Sequence, residues 1–189
     1  MAVTSYKNPG TLTSVDNSKA NATTWVDPTN AAASDDAYAT ASTSDKDRPT
    51  YWLRCASFGF TSSDIPAGST IGDIEVVIER NANHSGLDFV YDDDLFLRKT
   101  SGQVGTDHAS SNLWPLSDAE ATYTFTLADH GLTQADVVST DFGCDFGAWL
   151  DHDAAELLIA SVDCVKVRVN YTASARQPRP TPMTPGMVA

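Results

Sequence analysis

The chain is short of basic residues, cysteines and long apolar runs. Its 12 lysines and arginines stand against 25 aspartates and glutamates, which gives a formal net charge of -13. Phosphate recognition depends on clustered basic side chains, so we expect no nucleic-acid partner. No segment approaches the ~20 apolar residues of a membrane span, and residues 1–18 lack the apolar core of a signal peptide. We therefore expect a soluble protein, made in a cytoplasm, without a membrane partner.

Cysteine usage points to packing and not to chemistry. Cys55, Cys144 and Cys164 cannot all pair within one chain, and none has a CxxC spacing. Each lies in an apolar run that is typical of a strand, so we expect three small buried hydrophobes.

The excess of acidic residues has two interpretations. Net charge of one sign favours solubility in ordinary buffer. It is also typical of proteins from a salty medium, where screening over a few ångströms removes the self-repulsion. Most of the acids are aspartates, which favour turns and caps over helix interiors.

Alternation with a period of two dominates the apolar pattern. Side chains of a strand point to opposite faces in turn, so residues 165–171 place three valines and a tyrosine on one face and polar side chains on the other. Residues 71–80 repeat this pattern. The pattern predicts strands within 37–41, 51–60, 71–80, 87–99, 123–127, 140–149 and 157–171. Thr133 and Asp136 have the spacing of a capping box and predict one helical turn.

Seven or eight strands with almost no helix predict an all-β fold, an antiparallel two-sheet sandwich of the jelly-roll kind. A chain of 189 residues has the length of one domain. We expect an N-terminal extended arm at 1–22, a β-sandwich domain at 23–172 and a proline-rich C-terminal arm at 173–189.

The C-terminal arm carries four of the prolines. Proline fixes the backbone near polyproline geometry and removes a ladder donor, so the arm cannot join a sheet and needs a partner surface to become ordered. We therefore expect partner binding by Pro178, Pro180, Pro182 and Pro185.

Acidic and histidine residues offer few candidates for a chemical site. The run Asp92-Asp93-Asp94 is either an ion site or a solvated acidic edge, and we favour the edge because successive strand residues face opposite sides and the spacing of a calcium loop is missing. The four histidines lack the HExxH spacing, and no Gly-x-Ser-x-Gly turn presents a nucleophile. We predict no catalytic residue, cofactor or metal, and no enzyme.

Exposed aromatic rings can stack on sugars, although buried anchors are the commoner use. The candidates are Trp25, Trp52, Trp114 and Trp149. Trp114 lies in a polar segment before Pro115, so we predict that it is the surface anchor for a partner.

A set of motifs in a fixed order resembles a β-sandwich domain found in structural proteins of tailed bacteriophages and related archaeal viruses. The motifs are Trp25-x-x-Pro28-x-Asn30-Ala31, Ser34-Asp35-Asp36-x-Tyr38-Ala39-Thr40, Phe58-Gly59-Phe60, the segments 65–71 and 74–80, Trp114-Pro115, and the closing alternation 165–172. The chain departs from the family in 122–136, where a segment with glycine and tryptophan is expected. The resemblance implies a virion component and supplies no catalytic residues.

From the resemblance and the arms we expect a capsid decoration, or cement, protein. It would lie on the capsid surface of the virion, bridge subunits of the major capsid protein and form a homotrimer. The alternative is a tail, baseplate or fibre-associated module that binds host-surface glycan through Trp114. A calcium-dependent secreted carbohydrate-active module ranks last, because it predicts a secretion signal and residues 1–18 do not have the apolar core of one.

Overall fold

The computed structural model describes residues 1–153 and 156–174, and it is built mainly from β-strands and the loops that connect them. The strands are β1 (Ala2–Val3), β2 (Thr11–Val15), β3 (Ala39–Thr43), β4 (Arg48–Pro49), β5 (Trp52–Ala56), β6 (Thr70–Ala82), β7 (Phe89–Lys99), β8 (Gly102–Val104), β9 (Ala119–Phe125), β10 (Gly143–Asp151) and β11 (Leu158–Thr172). Two helices of one turn each, α1 (Leu127–His130) and α2 (Gln134–Val137), and a 3-10 turn (Pro28–Ala31) complete the elements. The predicted capping box at Thr133 and Asp136 is confirmed.

The strands form two antiparallel sheets with jelly-roll order. Sheet A has the order β1-β11-β6-β9, with β3 also on β11; sheet B has the order β2-β5-β10-β7-β8, with β4 also on β10. Leaving aside β1, β2 and the two-residue β4, the other eight strands pair in a nested order, outermost with outermost: β3–β11, β5–β10, β6–β9 and β7–β8. This nesting is a long hairpin rolled into a sandwich, so the predicted fold class is confirmed.

The core lies between the two sheets and follows the predicted alternation. Val165, Val167 and Val169 of β11 are fully buried, and they lie opposite Ile78, Val76 and Ile74 of β6. Sheet B contributes an equally apolar inner face, which includes Leu53, Leu95, Leu97, Phe146 and Leu150. Cys55, Cys144 and Cys164 are free and buried, as predicted.

The segment 1–22 runs along the edges of both sheets. Strand β1 pairs with β11, and Lys7 forms a further bridge to Val167. Strand β2 pairs with β5 and brings Leu12, only 6% exposed, into the core. An added edge strand needs only backbone donors and acceptors, which explains why a polar sequence can form one.

The C-terminal arm falls almost wholly outside the described residues. Strand β11 ends at Thr172, and the description continues through Ser174. The predicted partner-binding residues of the arm lie beyond that point: Pro178, Pro180, Pro182 and Pro185.

Candidate functional site

Trp114 lies in the core, so the prediction that it is a surface anchor is wrong. Its side chain is 1% exposed and stacks on Phe146, with ring centroids 5.8 Å apart and an interplanar angle of 10°. Its backbone N–H donates to the Val90 carbonyl at 2.8 Å, which fixes the polar segment 100–118 against β7. The prediction relied on the polar residues next to Trp114 in sequence. A polar loop can still bury one large aromatic side chain between the sheets, and Trp114 does so.

Asp92 is the centre of a buried polar network that joins the two sheets. It forms an ion pair with Arg80 of β6 across the sandwich. It also accepts hydrogen bonds from Trp114 Nε1 at 2.9 Å, from the Tyr123 hydroxyl at 2.5 Å and from the Ser110 backbone N–H at 3.0 Å. Burial raises the pKa of Tyr123 to about 12, so the phenol keeps its proton and donates a hydrogen bond to the carboxylate.

A β-bulge decides which aspartates of the acidic run point inward. Asp94 lies opposite Gly147 and Asp92 lies opposite Ala148, so Asp93 is the extra residue. The extra residue reverses the alternation, and both Asp92 before it and Leu95 after it face the core. The solvated acidic edge predicted for this run is therefore wrong.

The other two aspartates of the run bind one lysine on the outer face of sheet B. Lys19 Nζ lies 2.7 Å from Asp93 Oδ2 and 2.6 Å from Asp94 Oδ2, and Trp52 Nε1 donates to Asp94 at 2.9 Å. Burial raises the pKa of Asp93, while Lys19 opposes the shift. Within the described part of the chain, no cluster of three or more His, Cys, Asp or Glu side chains is arranged to hold a metal ion.

An aromatic pair lies beside two carboxylates on the outer face of sheet B. We call this surface the aromatic–acidic edge and define it as Tyr91, Trp149, Asp47 and Asp151. Tyr91 and Trp149 are half-buried neighbours on β7 and β10, stacked at 6.5 Å between centroids and 22° between planes. Burial first, and then the charges of Asp151, Asp93 and Asp47, raise the pKa of Tyr91.

The two carboxylates of this edge lie side by side. Burial first, and then the carboxylate of Asp47, raise the pKa of Asp151. Asp47 is exposed and its Oδ1 accepts a hydrogen bond from the His152 backbone N–H at 3.1 Å. The negative charges of Asp47 and Asp151 therefore repel each other at the end of β10.

A polar groove of about 480 Å³ adjoins the edge at Asp47. Its lining is Asn21, Ser44, Asp45, Lys46, Asp47, Arg48, His152 and Asp153. His152 is 2% exposed, and its Nδ1 lies 3.2 Å from Asp88 Oδ1. The groove lies where the β3–β4 and β10–β11 connections meet, at one end of the sandwich.

The other histidines serve local structure. His108 Nε2 lies 2.9 Å from Asp129 Oδ2, and the ring packs on Phe125. His130 is buried: its Nδ1 accepts from the Leu132 N–H, so its Nε2 carries the proton that is donated to the Gly72 carbonyl at 2.9 Å. His84 Nε2 lies 3.0 Å from the Trp114 carbonyl.

Sequence reasoning placed Trp149 among the candidate rings but missed Tyr91 as its neighbour. Strand alternation alone predicts which face of its strand each ring lies on. The contact between the two rings depends on the register between β7 and β10, which are far apart in sequence. Neither helix of the described chain is long or apolar enough to span a membrane.

Comparison with known proteins gives no assignment. No protein-family model matches the chain, and no curated protein matches it. Among solved structures, a chain of the cryo-EM atomic structure of Broad Bean Stain Virus matches with 13% sequence identity, over 58% of this chain and 62% of that chain, at a TM-score of 0.23. The match thus spans less than two thirds of that chain, and a likeness at this TM-score carries no argument about function.

Proposed function

We propose that this protein is a structural component of a virus particle, a decoration protein that lies on the capsid and bridges subunits of the major capsid protein. The jelly-roll strand order is the observation that carries the proposal, since viral capsid domains are among the proteins that use this architecture. The resemblance of the sequence motifs to virion β-sandwich domains supports the same role.

The N-terminal segment binds its own domain. Residues 1–15 are held against both sheets by backbone hydrogen bonds, such as those between Lys7 and Val167 at 2.8 and 2.9 Å. These strands cover edges of both sheets, so the proposed bridging of capsid subunits relies on other surfaces of the chain. The alternative of glycan binding through Trp114 is not proposed, because that ring is buried.

Particle analysis tests the proposal. An epitope inserted after Ser101, in the exposed turn between β7 and β8, leaves the core intact. We expect antibody label distributed over the capsid shell, and particles that lack the protein should lose their contents at a lower temperature than complemented particles. Absence of the protein from purified particles, or label confined to one vertex or to a tail, would contradict the proposal.

A further inference from the structure

The aromatic–acidic edge carries two features of a binding surface. Its rings, Tyr91 and Trp149, remain partly exposed on the outer face of sheet B although both are large and apolar. Its carboxylates, Asp47 and Asp151, form no ion pair with any lysine or arginine of residues 1–153 and 156–174. A partner with apolar rings and a positive charge would match both features.

The chain itself contains a segment with this chemistry. Residues 175–189 hold four prolines and two arginines and no acidic residue, whereas the whole chain has a net charge of -13. Arg179, Pro182 and Pro185 are spaced three residues apart. A polyproline II helix has three residues per turn, so in that conformation these three side chains lie along one edge.

Proline-rich segments in this conformation bind grooves lined by aromatic side chains, and a PxxP spacing is the usual signature. We propose that residues 179–185 of one copy of the chain dock on the aromatic–acidic edge of a second copy. Pro182 and Pro185 pack on Tyr91 and Trp149, and the Arg179 guanidinium binds the carboxylates of Asp47 and Asp151. Guanidinium forks match carboxylates in geometry, so the contact fixes the direction of the segment.

The geometry requires a second copy. The arm leaves the domain after Thr172, whereas Asp151 and the beginning of β11 at Leu158 lie at the opposite end. Strand β11 has 15 residues, so the two ends are about 45 Å apart. Eight residues from Ser174 to Pro182 span only about 25 Å in polyproline geometry, too short to reach the edge of the same molecule.

The contact is head-to-tail, because the arm of one copy binds the edge of the next. Contacts of this kind close into rings when the rotation permits. The inference concerns association of the chain with itself and does not depend on the proposed virion role, which particle analysis tests separately.

A peptide titration tests the binding step. A fluorescently labelled peptide with the sequence of residues 175–189 is titrated with the full-length chain, dilute enough to be monomeric, and anisotropy is recorded. We expect saturable binding that weakens as salt is added, since the Arg179 contact is electrostatic. A peptide with Pro182 and Pro185 replaced by alanine and Arg179 by glutamate should bind at least about tenfold more weakly.

Matched variants of the full-length chain locate the site. Trp149→Ala and Tyr91→Ala should weaken peptide binding about tenfold or more, while Phe96→Ala, a half-buried ring on the outer face of the same sheet, should leave it unchanged. Circular dichroism verifies that each variant is folded. Asp151→Asn should weaken binding without disturbing the rings.

Self-association gives a second readout that needs no change in the folded domain. Sedimentation velocity should show concentration-dependent oligomers for the natural chain, and monomers for the chain with Arg179→Glu, Pro182→Ala and Pro185→Ala. The inference is overturned if the arm variants associate like the natural chain, if the peptide binds Trp149→Ala as tightly as the natural chain, or if no peptide binding occurs. Glycan binding lost in Trp149→Ala, without peptide binding, would equally overturn it and assign the edge to a sugar.

Discussion

Replacing Asp92 by leucine removes the one acceptor shared by a buried arginine, a tryptophan and a tyrosine. The side chain of Asp92 is fully buried, and its four partners come from three separate parts of the chain. Leucine shares the branch at Cγ with aspartate and is larger, so no cavity opens; the change removes the charge and the hydrogen bonds and adds some overpacking. Arg80 would remain, 4% exposed, without its counter-charge.

The expected loss is large compared with the stability of a domain. Removal of one partner from a buried ion pair costs about 3–5 kcal/mol, because the other charge is left uncompensated. The unsatisfied Trp114 and Tyr123 donors add about 1–3 kcal/mol each where water cannot reach them. The free energy of unfolding of a domain is only about 5–15 kcal/mol, so we expect Asp92→Leu to be marginally folded or unfolded.

Urea denaturation followed by tryptophan fluorescence measures the effect, with Arg80→Met and the double variant completing a cycle. The double variant should be more stable than Asp92→Leu alone, because it removes the uncompensated charge. Asp93→Asn is the matched control: burial raises the pKa of Asp93 despite its pairing with Lys19, so its neutral form should be tolerated within about 0.5 kcal/mol. A loss below about 1 kcal/mol for Asp92→Leu would refute the central role of the carboxylate.

Three further changes test other parts of the fold. Gly143→Ala places a Cβ 1.9 Å from a carbonyl oxygen of β5, so the free energy of unfolding should fall by about 3 kcal/mol or more. The control is Gly147→Ala on the same strand, whose Cβ meets nothing nearer than 3.6 Å and should be tolerated. Thermal unfolding of both variants measures the difference. Burial lowers the pKa of His130 below its unfolded value of about 6.5, so the unfolded chain binds more protons than the folded chain. The free energy of unfolding should therefore fall as the pH drops below that value. Urea titrations at several pH values measure this dependence, which His130→Asn should flatten. Thr4→Val removes the hydroxyl that accepts from the Val169 N–H at 3.0 Å and should cost about 1 kcal/mol and speed hydrogen exchange at that amide; unchanged exchange would contradict a held N-terminal strand.

Predictions from the sequence succeeded where one strand carries its own pattern. The alternation of residues 165–171 fixed the inward face of β11, and the capping box at Thr133 fixed the start of α2. Predictions from the sequence failed where the surroundings of a residue are formed by strands far from it in sequence. Trp114 and Asp92 both read as polar surface from their sequence neighbours, yet they contact each other in the core.

The sequence by itself determined that the chain is a strand-rich acidic protein with an apolar face on each strand and a basic, proline-rich segment after the last one. These properties are local, because side-chain alternation and proline geometry depend on residues only a few positions apart. Only the tertiary structure decided that a bulge turns Asp92 inward and that Tyr91 stacks on Trp149 beside two carboxylates. Register between strands far apart in sequence is set by the packing of the whole sandwich, and no short stretch of residues contains it.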